Sequence, residues 1–63
     1  MEYIYVLIDN NNCFEDIIII IDKKVAIEES KKNSNLRVEI FSKNENKYEK
    51  THCYYKNGNL IEP

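Results

Sequence analysis

Five consecutive isoleucines, Ile17 to Ile21, closed by Asp16 and Asp22, constrain this chain more than any other stretch. A strand sends alternate side chains to opposite faces, so the run puts apolar bulk on both sides of a sheet. Both sides then need a cover. A chain of 63 residues buries only about 60% of its unfolded surface, and material for two covers is short. Two outcomes follow. The run is a central strand with a helix on one face and the final hairpin folded over the other, or one face stays apolar and is covered by a second copy or a target.

The flanking segments read as further strands. Tyr3 to Ile8 is aromatic, β-branched or Leu throughout, as in a strand buried on both faces. Asp9 to Asn12 is turn chemistry, since Asx side chains bond to their own backbone. Phe14 to Ile21 then returns as the second strand, antiparallel across so short a connection. Asp22 can cap a helix over Lys23 to Lys32, where Ala26, Glu28, Glu29, Lys31 and Lys32 are good helix formers and Glu28 stands four before Lys32. Its apolar face is thin, with Val25, Ala26 and Ile27. A competing reading makes Val25 to Glu29 a third strand, turning the whole into an all-β meander or small barrel.

Leu36 to Phe41 alternates, with Arg37 and Glu39 on a wet face. If Asn44-Glu45 is a two-residue loop to the strand Tyr48 to Tyr55, Phe41 opposes Tyr48, Glu39 opposes Lys50 and Arg37 opposes His52. Asn57-Gly58 is the strongest local signal. A type I′ hairpin needs positive φ at both centre positions, and this pair would set Tyr55 against Leu60 and Tyr54 against Ile61. The expected fold is therefore α+β, a single domain over 1–63, with an antiparallel sheet of four to five strands and one short helix in the order β-β-α-β-β-β.

Charge and cysteine usage narrow the function. Residues 1–22 carry Glu2, Asp9, Glu15, Asp16 and Asp22 and no base, while residues 23–63 carry a net +3 within an overall charge of −2. An acidic first half is a poor phosphate surface but suits a basic protein partner. Cys13 and Cys53 are far apart and in no metal spacing, which fits free thiols in a reducing compartment. No signal peptide is evident, and the Ile run falls far short of the roughly 20 residues of a membrane span. The expected location is the cytoplasm of a host bacterium.

Catalysis finds little support in these residues. His52 and Cys53 are adjacent on a strand and point to opposite faces, so they cannot pair as base and nucleophile or share a metal. Three scattered candidates, counting Cys13, fall short of the four ligands of a zinc site. No phosphate cradle or Ser/His/Asp set accompanies the carboxylates. No cofactor, no metal and no enzymatic activity are expected. Lys43, Lys47, Lys50 and Lys56 with Tyr48, Tyr54 and Tyr55 could form a nucleic-acid platform, but Glu45 and Glu49 dilute it. The expected protein contacts are Asp9, Glu15 and Asp16 at the first loop with Tyr54 and Tyr55. Ile18 and Ile20 are the expected self-association residues of a homodimer.

The opening strand from Tyr3 to Leu7, the Ile strand running into Asp22 to Lys32, and the strand after it resemble short β-β-α-β proteins of phages and low-GC bacteria, over residues 3 to 41. Tyr54 to Leu60 is similar to one hairpin unit of a MORN-like repeat, in a single copy. The size and the Ile/Lys/Asn-rich usage resemble phage-encoded inhibitors of bacterial defence, including anti-CRISPR proteins. That resemblance implies a non-enzymatic module that occupies a surface of a larger host protein or ribonucleoprotein complex, and it brings no catalytic residues with it.

Overall fold

The computed structural model describes residues 2–9, 17–32 and 34–63. Five strands, β1 (Tyr3–Asp9), β2 (Ile18–Ile20), β3 (Leu36–Asn44), β4 (Lys47–Lys56) and β5 (Asn59–Ile61), build one sheet, and α1 (Lys23–Lys31) joins β2 to β3. The order is β2-β1-β3-β4-β5, with every neighbouring pair antiparallel. This is the expected α+β architecture. The meander or barrel reading fails because Lys23–Lys31 is helical and the sheet stays open.

The isoleucine run is not central. It supplies β2, an edge strand of three residues, and only Ile20 of the five is buried, while Ile21 lies outside the strand and exposed. The centre belongs to β3, which pairs with β1 on one side and β4 on the other. An edge strand has one neighbour, so its side chains have partners on one flank only.

α1 starts where the sequence places it. Asp22 is extended (φ −99°, ψ 122°), and its carboxylate accepts the Lys24 N–H at 2.8 Å, satisfying one of the donors a helix start leaves free. The surface ion pairs run i to i+3, Lys31 with Glu28 at 3.7 Å and Lys32 with Glu29, not Glu28 with Lys32. Val25 is exposed, leaving Ala26 and half-buried Ile27 as the apolar face. Ser30 supplies the missing attachment. Fully buried, its hydroxyl donates to the Ile27 carbonyl at 2.7 Å and accepts the Gly58 N–H at 3.0 Å, while its carbonyl accepts the Asn57 N–H at 3.2 Å. The helix end is thereby tied to the β4–β5 turn.

That turn has Asn57 at φ 53° and Gly58 at φ 81°, the two positive φ values of a type I′ hairpin, and Tyr55 faces Leu60 with Tyr54 facing Ile61 as expected. The β3–β4 hairpin differs. Its left-handed residue is Glu45 (φ 59°) and Asn44 still pairs with Lys47, so Phe41 opposes Lys50 and Lys43 opposes Tyr48. The register shifts again between Glu39 and Phe41, where β4 carries an irregularity with His52 at φ 69°. Thr51 closes it. Its hydroxyl donates to the Ile40 carbonyl at 2.8 Å and accepts the Cys53 N–H at 3.2 Å.

The core lies between α1 and the sheet. Tyr5, Leu7, Ile20, Ala26, Val38, Ile40 and Tyr55 form it, with Ile27, Leu36 and Cys53 packed alongside. Residues directly opposite one another share a face, so Ile18, Leu7, Val38, Tyr55 and Leu60 make one row across the helix side.

Candidate interaction surface

The same pairing defines the other face. Ile19 opposes Val6, Val6 opposes Glu39, Glu39 opposes Tyr54, and Tyr54 opposes Ile61, giving a row that crosses all five strands. Ile4, Phe41 and Lys50 lie on one side of this row; Ile8 and Arg37 lie on the other. No described element packs over this face. Ile19 is 61% exposed at one end and Ile61 36% at the other.

Charge sits at the centre of the face. Glu39 is expected on a wet surface, yet it is only 4% exposed, with Val6 of β1 and Tyr54 of β4 directly opposite it. Its Oε1 meets Lys50 Nζ at 3.2 Å, so the expected Glu39–Lys50 pair forms, although across the β4 irregularity and not directly opposite. The Arg37 guanidinium lies 6.0 Å from the centre of the Tyr54 ring, within the range of a cation–π contact. Two atoms are left over. Glu39 Oε2 and Arg37 Nε are buried with no hydrogen-bond partner, and such groups cost free energy until something meets them.

The expected contact residues that are described, Asp9, Tyr54 and Tyr55, do not share one face. Asp9 opposes Leu36, a neighbour of the core, at the end of β1 and so on the helix side, whereas Tyr54 belongs to the open face. Tyr55 is a core residue, its ring 6.3 Å from that of Tyr5, because the register turns it under the helix. Ile20 is likewise buried within the chain, and Ile18 remains 52% exposed on the helix-side rim. Glu15, Asp16 and Cys13 lie outside the described residues. The isoleucine that reaches the open face is Ile19. Period-2 alternation from the Tyr54–Ile61 pair, carried through Glu39 and Val6, is the signal that leads to it.

On the helix side, a cleft of about 340 Å³ opens beyond the helix start, lined by Tyr3, Tyr5, Lys23, Ile40, Thr51, Cys53, Tyr55 and Leu60. Burial pushes the Tyr5 phenol above its ordinary value, with the Tyr55 phenol adding to the effect. Cys53 is a free, half-buried thiol and His52 is exposed on the irregular turn of β4. Among the described residues no group of three His, Cys, Asp or Glu could hold a metal ion, and no helix is long and apolar enough to cross a membrane.

Comparison with known proteins finds no matching family model, no matching curated protein and no matching solved structure.

Proposed function

We propose that this chain is a non-enzymatic protein-binding module whose docking surface is the open face of its sheet. One observation carries the reading. A five-residue row, apolar except at Glu39, crosses the whole sheet with no described element over it, and contiguous surfaces of this kind mark interaction sites. The most specific form of the proposal is an inhibitor encoded by a phage or mobile element, which acts by occupying a surface of a larger host protein or ribonucleoprotein complex. The resemblance to short anti-defence proteins favours that form, and the bacterial cytoplasm is its place of action.

A nucleic-acid platform on the C-terminal half is the weaker reading. Lys43 pairs with Glu2 at 3.6 Å, Lys47 with Glu49 at 3.4 Å and Lys50 with Glu39 at 3.2 Å, so three of its four lysines already face carboxylates, whereas phosphate binding needs free cations.

The test is affinity capture from a bacterial host lysate with the tagged chain and with Ile19→Lys and Tyr54→Ala. A stoichiometric host partner held by the wild type and lost from both variants supports the reading. Capture that ignores both substitutions removes the open face as the docking surface, and retention of nucleic acid without protein at low salt favours the alternative.

A further inference from the structure

We propose that the open face is occupied by a second copy of this chain, docked about a two-fold axis that sets Glu39 of each copy against Arg37 of the other. The inference rests on the reading of that face as a protein-docking surface and names a second copy, in place of a host protein, as its occupant. Glu39 and Arg37 stand two residues apart on β3, hence on one face and about 7 Å apart along the strand. Each carries one buried atom without a partner, an acceptor at Glu39 Oε2 and a donor at Arg37 Nε.

Symmetry makes these two deficits complementary. A two-fold axis running across β3 between the two positions exchanges them, so the acceptor of one copy faces the donor of the other, and the contact occurs twice. A foreign partner would have to bring a donor and an acceptor at that spacing; a second copy carries them already. The carboxylate then divides its oxygens, Oε1 to its own Lys50 and Oε2 to the facing guanidinium. Packed sheets lie about 10 Å apart, a gap that Arg and Glu side chains span from opposite sides. Reaching the covered atoms takes rotamer changes of the side chains above them, which are ordinary at interfaces.

The surroundings suit such a contact. Val6, Ile19, Phe41, Tyr54 and Ile61 frame the charged pair with apolar surface. The molecule measures 33 × 25 × 22 Å, so the broadest outline it can present is on the order of the ~800 Å² that each partner buries in a standard interface. The product is a four-layer α-β-β-α dimer with both sheet faces covered and the strand edges left outside.

Sedimentation equilibrium on the full chain tests this, with circular dichroism reporting the fold of every variant. The wild type is expected to be a dimer. Arg37→Glu or Glu39→Arg alone sets like charges across the axis and should weaken association by roughly a hundredfold or more. The double exchange, Arg37→Glu with Glu39→Arg, restores opposite charges and should recover the dimer. Ile19→Lys, at an exposed site that a folded monomer tolerates, should weaken association without touching the charges, and it serves if the charge variants fail to fold. A wild type that stays monomeric up to its solubility limit overturns the inference, as does a dimer indifferent to both single reversals or, where those cannot fold, to Ile19→Lys. A monomer that still captures a host protein defeats the dimer and leaves the docking face standing. A charge-dependent dimer that captures nothing upholds it and removes the host target.

Discussion

The two faces of the sheet draw on similar apolar residues and end in different states. On the helix side, Leu7, Val38 and Tyr55 stand in line beneath α1 and are buried; on the open side, Val6, Tyr54 and Ile61 stand in line with no described element above them. The helix side has apolar residues at its centre and exposed Ile18 and Leu60 at its ends. Its counterpart places a carboxylate at the centre instead. Burying a charge inside a small domain does little for stability by itself. The difference separates two tasks. One face holds the chain together, and the other is the surface proposed for docking.

Truncation on matched neighbours should break the symmetry most strongly. Leu7→Ala removes a buried side chain from the core and should cost about 2–5 kcal/mol, against a total of roughly 3–9 kcal/mol for a chain of this length. Val6→Ala, one residue away on the open face, should cost clearly less in the monomer, at the lowest workable protein concentration. Urea unfolding read by circular dichroism gives both values. Equal losses would mean that the open face is as well packed in solution as the core, and the contrast between the faces would collapse.

Ser30→Ala sharpens the same comparison by attacking the attachment of the helix. The substitution leaves the Gly58 N–H, which now bonds Ser30 Oγ at 3.0 Å, without its acceptor beneath α1, a loss of about 1–3 kcal/mol. Hydrogen exchange should locate the damage, with protection at Asn57 and Gly58 falling more than protection in β1. Unchanged exchange at the turn would show that the helix is held by apolar contact alone.

Local pattern alone makes part of this architecture readable. The β4–β5 hairpin follows from Asn57-Gly58, because few other pairs accept two positive φ values, and α1 follows from the Asp22 cap and the helix formers after it. Strand order is a different kind of information. Ile17 to Ile21 reads alike for an edge and a centre, since composition records what a strand can bury and not how many neighbours it acquires. The β3–β4 register escaped because Glu45, not an Asn, takes the left-handed position, and because Thr51 stabilises an irregularity that no propensity marks. The role of Ser30 depends on a turn 28 positions along the chain. Of the candidate site, Tyr54 and its pairing with Ile61 were legible. The burial of Glu39 was not, since it depends on which residues β1 and β4 set opposite it.

Alkaline titration isolates the helix side. The folded Tyr5 phenol holds its proton above the ordinary value of 10.0, chiefly through burial. Between the unfolded and the folded pKa the native state therefore binds more protons than the unfolded state, and stability falls as pH rises through that window. The contribution is complete below about pH 10 and is lost above it. Tyr5→Phe should flatten the alkaline decline of the urea midpoint. A decline of equal steepness in Tyr5→Phe would assign the effect to other groups.

The smallest expected change lies at the centre of the open face, where it says most about why the two sides differ. Glu39→Leu replaces a buried carboxylate by an apolar side chain of similar size. The orphaned Oε2 disappears, and Lys50, half exposed, returns to solvent at little cost. Exchanges of this kind are neutral or stabilising, so the urea midpoint at the lowest workable protein concentration should stay level or rise. The same variant should lose whatever contact the open face makes, because the acceptor facing that contact is gone. A marked loss of stability in the isolated chain would instead assign Glu39 to the fold, and the open face would then be a second structural surface held by its ion pair.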